Sequence, residues 1–423
     1  MIFIHTSRLL CYKICITALI TMSLFVPVFG QTEWYNDWVG AQSDNIPDIF
    51  DQDFVVEEFV TGLSFPTTMA FVDNDILVLQ KNDGNVILVK SDGSTLPNPV
   101  LDVEVSNLYE TGLLGIASKG SSVYLYYTEA VHDGEKPIAN NIYKYKWIDN
   151  TLQDPVLIKS LPAYPESLIH NGGAMVVGKD DTVYAVIGDQ KMVRGAGILH
   201  NQFGSPDDTG VILPVDPAGN YFAIGIRNSF GLAIDPLSGN MWATENGHDF
   251  FDEVNLVTPK FNSGWNAHTG PIEESRIYIM DVPDFVGVLK SHIQLFLSSF
   301  YGMFLLPEQY EYGEPEFSWK KTNSPTAINF APASFGKYGG WLFVGDCNFG
   351  NIYKFKLNPD RDGFVFKDSN LTDLVVNEED TIEEIHFGKG FGCITDIEII
   401  DDTMYVVSLT DGTIYKIFLN DLL

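Results

Sequence analysis

The chain has 423 residues, 45% of them hydrophobic and 19% charged, with 56 acidic side chains against 25 basic ones and a net charge of −31. That length and apolar content suit a folded body with a large core and exclude a disordered tail. The acidic balance excludes nucleic acid and anionic membrane as electrostatic partners.

The amino terminus reads as an export signal. Arg8 and Lys13 precede the apolar run Ile14 to Phe29, and small or β-branched residues lead to a cleavage point after Gly30. Residues 1–30 are therefore expected to be removed, which places the body in a secreted or cell-surface location. An uncleaved anchor is the alternative. Removal takes two basic residues and no acidic one, so the charge moves from −31 to −33. Residues 31–53, polar and aromatic, read as a loose lead-in to the folded body at 54–423. FVVEEFV, from Phe54, reads as a strand able to complete the last blade and so to close a ring through both chain ends.

From Asn74 onward one cassette recurs: an apolar β-type run, a turn rich in Asp, Asn and Gly, and often a second β-type run. The copies are NDILVLQKNDGNVILV (Asn74), SSVYLYYTEAV (Ser121), DDTVYAVIGD (Asp180), GNMWATENG (Gly239), GGWLFVGDCNFGNIYKFKL (Gly339) and DDTMYVVSLTDGTIYKI (Asp401). Each reads as a hairpin. Their starts lie about 50 to 60 residues apart, with one gap near 100, which suits one four-stranded blade per repeat. The expectation is an all-β, six-bladed β-propeller of four-stranded antiparallel blades, with a β-sandwich as the alternative.

The oversized gap holds an apolar insertion at 285–306, read as a buried hairpin, with a membrane-touching element or a protein-partner surface as alternatives. Cys347 and Cys393 are the only cysteines left after removal of the signal, and an exported pair invites a disulfide. Two separate buried thiols are the other reading.

Chemistry-bearing residues gather where β-type runs begin or end. His170, in HNGG, sits on a glycine-rich turn that lets a ligand approach the backbone; the imidazole is either a general base or a turn cap. Asp189 ends VYAVIGD and either orients that imidazole or caps a turn. Arg227 and Asn228, in GIRNSFGLAID, offer planar donors to carbonyl or carboxylate oxygens, or tie blades together. TENGHDFFDE packs Glu245, Asn246, Asp249, Asp252 and Glu253 around Gly247, as a calcium loop or an acidic surface loop.

The order GLSFPTTMAF, TGLLGIA, VYLYYT, HNGG, IGD, DDTGVIL, GIRNSFGLAIDP, ENG, DEVNL, NSGW and ITDIE, from about Phe54 to Ile417, resembles the glucose/sorbosone dehydrogenase family. That resemblance implies a soluble six-bladed propeller using pyrroloquinoline quinone (PQQ) and calcium, a small sugar or alcohol substrate, and an external electron acceptor. It implies His170 as the base that takes the hydroxyl proton while hydride passes to the quinone, with Asp189 supporting it. Arg227 would polarise the quinone carbonyl, Asn228 and Thr395 would face the cofactor, and the backbone carbonyls of Gly247 and His248 would hold the calcium. His248 stands where proline is usual. Cys393 and Thr395 stand where the family carries two arginines, Asn348 where it carries a lysine, and Glu110 where an amide is expected. The function so implied is an exported PQQ-dependent aldose or alcohol dehydrogenase. A non-catalytic extracellular propeller that binds a carbohydrate or protein, or a calcium-dependent lactonase-type propeller, are the other readings.

Overall fold

Strand formation follows the alternation of apolar residues. In Asp75–Gln80 the side chains of Ile76 and Val78 pack to one side of their sheet while Leu77 and Leu79 pack to the other. A strand whose successive residues point to opposite faces can be apolar throughout only if both faces are covered. The protein, analysed as a computed structural model that describes residues 46–164, 168–190, 208–265, 269–272 and 310–420, covers both faces by stacking its sheets side by side.

The described strands form six sheets. Their inner strands are Pro66–Val72, Leu113–Lys119, Met175–Val177, Leu232–Ile234, Pro325–Phe330 and Ile394–Ile400. Each packs on the next in that order, and Ile394–Ile400 packs back on Pro66–Val72, so the inner strands close a ring. Six apolar clusters fill the six gaps between neighbouring sheets. Leu77 and Leu79 meet Val123, Leu125 and Tyr127 in one, and Phe343 and Phe387 meet Ile397, Met404 and Ile417 in another. The all-β propeller expected from the sequence is thus what these residues build, and each cassette supplies the second strand of a sheet.

Phe54–Val60 pairs antiparallel with Thr413–Leu419, so the first long strand completes the sheet made by the last three and ties the two ends of the described chain together. Phe54 is buried there against Phe335, Tyr338 and Phe387.

Two expectations need correction. Three sheets have four strands, but the others have six, five and five, because connecting segments run back along the sheets and add two-residue strands. Ala223–Ile224, Phe261–Asn262 and Glu311–Tyr312 join in parallel in this way, and Val375–Val376 joins Phe317–Lys321. The lead-in is also not loose at its described end: Asp48–Ile49 pairs with His386–Lys389, and Asp51 binds Lys337 at 2.7 Å. The export signal at 1–30 and the insertion at 285–306 lie outside the described residues. None of the described helices is long and apolar enough to cross a membrane.

Cys347 and Cys393 form a disulfide. It joins the end of Leu342–Asp346 to the start of Ile394–Ile400 and so links two neighbouring sheets.

Candidate active site

In an antiparallel hairpin the start of one strand and the end of its partner lie at the same edge. The segments that enter the inner strands and those that leave the second strands therefore all meet on one face of the ring. His170 and Arg227 precede inner strands, whereas Asp189 and Gly247 follow second strands. The topology gathers residues that are far apart in sequence onto this face.

His170 is buried, 3% exposed, with φ of 59°. A non-glycine residue in this left-handed region costs of order 1 to 3 kcal/mol and persists only where neighbours over-determine it. Two contacts do so. The His170 N–H donates to Glu110 Oε2 at 2.6 Å, and the ring Nδ1 lies 3.1 Å from the Asp189 backbone oxygen. A carbonyl oxygen only accepts, so Nδ1 carries the proton and Nε2 keeps its lone pair. Burial, then the nearby Arg227 charge, lower the imidazole pKa to about 3, against a small opposing effect of the Asp189 carbonyl. The ring is neutral at neutral pH.

Asp189 therefore meets His170 through its main chain, in place of the carboxylate contact expected from the sequence. Its carboxylate accepts from Trp265 Nε1 at 2.8 Å. Gly188, just before it, leaves no room for a side chain: a Cβ there would stand 2.5 Å from the His170 oxygen and 2.9 Å from the Arg227 oxygen. This close approach is what brings the two site turns together.

Arg227 and Asn228 are 8% and 4% exposed. The Arg227 N–H donates to Glu245 Oε1 at 2.6 Å, its Nη1 donates to the Asn246 oxygen at 2.7 Å, and the guanidinium lies 5.3 Å from the Trp265 ring. Asn228 Nδ2 donates to Glu110 Oε2 at 3.2 Å. Arg227 Nε and Asn228 Oδ1 are buried and have no hydrogen-bond partner among the described residues. A buried donor and a buried acceptor left unpaired beside a neutral histidine suit a polar ligand that both accepts and donates hydrogen bonds.

In the acidic loop Glu245, Asp252 and Glu253 face inward, whereas Asp249 is exposed. Asp252 accepts from the N–H groups of Gly247, Asn323 and Ser324, and its pKa rises to about 6 because burial outweighs those bonds. Glu245 and Glu253 stand opposite one another across two strands, and burial raises both. No three His, Cys, Asp or Glu side chains converge on a metal position among the described residues. His248 Nδ1 lies 2.8 Å from Asp249 Oδ2. Thr395 stands on another sheet and donates its hydroxyl to the Pro66 oxygen at 3.2 Å.

Sequence reasoning brought together His170, Asp189, Arg227 and Asn228, and the structure does likewise. It missed the contact roles of Trp265 and Glu245, whose signals were their places in NSGW and ENG. It also missed Lys81, which sits where a second strand ends and whose pKa burial lowers to about 8 against the opposing pull of Glu110.

The sequence pattern of glucose/sorbosone dehydrogenases matches residues 63–288. The chain belongs to the glucose/sorbosone dehydrogenase family. Among its relatives, quinoprotein glucose dehydrogenase B of Acinetobacter calcoaceticus is 26% identical over an alignment of 246 residues that covers 48% of this chain and 50% of that protein. The chain thus spans about half the length of that relative. Aldose sugar dehydrogenase YliI of Escherichia coli is 23% identical over 342 residues, covering 74% of this chain and 84% of that one. The PQQ-bound form of aldose sugar dehydrogenase from Streptomyces coelicolor shares the fold with a TM-score of 0.60 at 19% identity, over 88% of this chain and 99% of that one. The match to the glucose/sorbosone dehydrogenase pattern takes in His170, Asp189, Arg227, Asn228 and Gly247 together.

Proposed function

We propose that this member of the family is an exported dehydrogenase that oxidises an aldose or a related alcohol, with PQQ as its resident cofactor and an external acceptor to receive the electrons. The observation that carries this reading is the neutral His170 ring, with its proton fixed on Nδ1 by the Asp189 carbonyl beside the unpaired polar atoms of Arg227 and Asn228.

When bound, the quinone would supply the two-electron acceptor for hydride. Arg227 and Asn228 would hold it through the atoms they leave unpaired, Thr395 would face it, and the backbone carbonyls of Gly247 and His248 would hold its calcium. His170 would take the substrate hydroxyl proton at Nε2 and pass the resulting charge partly to the Asp189 carbonyl through Nδ1–H. Burial and the Arg227 charge keep it unprotonated before the reaction. Asp189, anchored by Trp265, would fix the ring by position. Where the family carries two arginines and a lysine, this chain has Cys393, Thr395 and Asn348, so the clamp must lean on Arg227, with Lys81 as the second cation nearby.

That same absence of charge favours one other reading, a propeller that binds carbohydrate without oxidising it. The two are separated by His170→Asn. The dehydrogenase reading expects quinone-dependent dye reduction with aldoses by the parent protein and a fall of at least about 100-fold in kcat for the variant, in the range general-base removal produces. Full turnover in His170→Asn would remove His170 from the mechanism.

A further inference from the structure

We propose that Glu110 is the positioning residue for His170, a strut that fixes the base from the neighbouring sheet; this rests on the reading of His170 as the proton acceptor.

Glu110 enters the inner strand Leu113–Lys119, and His170 enters the inner strand of the next sheet. A single oxygen, Oε2, takes both the His170 N–H at 2.6 Å and the Asn228 side-chain N–H at 3.2 Å. Asn228 in turn enters the strand Leu232–Ile234 of the sheet after that. One carboxylate thus ties together the entry turns of three consecutive sheets. The connection is doubled from the other side: the Glu110 N–H donates to the Leu168 oxygen at 3.1 Å, and the same oxygen accepts Asn171 Nδ2 at 3.2 Å.

His170, with φ of 59°, lies outside the strands, and its buried N–H is satisfied by the Glu110 side chain. A carboxylate does this with a charge-assisted bond. Burial raises the Glu110 pKa, while the His170 N–H, the Asn228 amide and the Arg227 charge hold it down, and Glu110 in turn raises that of Lys81. His170 is then held at two points, its backbone by Glu110 and its ring by the Asp189 oxygen. Release of the first point frees the turn, and the ring loses its fixed partner.

The test uses full-length protein with 15N-labelled histidine. In the parent, the His170 signals, assigned by their loss in His170→Asn, should show one tautomer with the proton on Nδ1. In Glu110→Gln and Glu110→Ala they should show averaged tautomers. With turnover measured in parallel, kcat should fall at least tenfold with KM within threefold, and Glu110→Asp should recover part of it. An unchanged Nδ1–H signature in both Glu110→Gln and Glu110→Ala would overturn the proposal. Loss of the fold in Glu110→Gln would also overturn it, because Glu110 would then be a stability residue. Absence of turnover in the parent would count against the enzyme reading alone, since the tautomer measurement needs no activity.

Discussion

His170 owes its chemistry to a turn. Buried at 3% exposure and lowered to about 3 by burial and by Arg227, it offers an unprotonated Nε2 throughout the neutral range. Protonation of His170 therefore cannot limit activity between pH 5 and 8. The pH profile of kcat/KM should lack an acid limb near 6.5, and any such limb that His170 carries would contradict the assigned environment. The residue types at this site were legible because His-Asn-Gly-Gly and Arg-Asn are unusual at strand entries. Their partners were not. Trp265 reaches Asp189 from 76 positions away, and Glu110 reaches Asn228 across 118; neither spacing leaves a local pattern. The Asp189 contact itself is made by a main-chain oxygen, which residue identity does not encode.

At the scale of elements, the six hairpin cassettes were legible because each second strand is apolar on both faces and ends in turn chemistry. The two-residue parallel additions and Asp48–Ile49 were not, since so short a strand has no period to read. Closure of the ring was legible in FVVEEFV, and one buried aromatic side chain, Phe54, anchors the closing strand. Phe54 lies among Phe335, Tyr338 and Phe387, with ring centroids 5.1, 5.7 and 5.6 Å away. Phe54→Ala should cost about 3 to 5 kcal/mol of unfolding free energy, as truncation of a buried Phe does. Chemical denaturation measures it. A loss below about 1 kcal/mol would mean that the first strand does not latch the ring.

For the whole molecule, an excess of acids has been packed into a β-rich body. Burial raises Glu316 to about 8, Asp346 to about 7 and Asp252 to about 6. Each binds its proton more tightly folded than unfolded. The stability they contribute is therefore complete below about pH 4, falls progressively above it, and is gone once pH has risen through the raised values of 6 to 8. His170 and His386, lowered to about 3 and about 4 by burial, act oppositely: the unfolded chain gains their protons below about 6.5, so stability falls toward acid. Lys81 and Lys354, both lowered to about 8, penalise the fold as pH drops from about 10.5 to 8 and add nothing further to the slope below that range. Between pH 4 and 6 the three acids outweigh the two histidines, so the sum over these groups is greatest near pH 4 and falls toward pH 8. In calcium-free buffer Tm should fall between pH 6 and pH 8, whereas a flat or rising Tm would contradict the burial of these acids.

The central claim is that the polar atoms left unpaired around His170 receive a quinone. The most direct measurement is a calorimetric titration of the purified protein with PQQ in the presence and absence of calcium, with dye reduction by aldoses followed on the same samples. The account predicts saturable one-to-one binding that calcium strengthens, followed by aldose-dependent dye reduction. No heat of binding at high micromolar PQQ with calcium present, and no dye reduction, would contradict it.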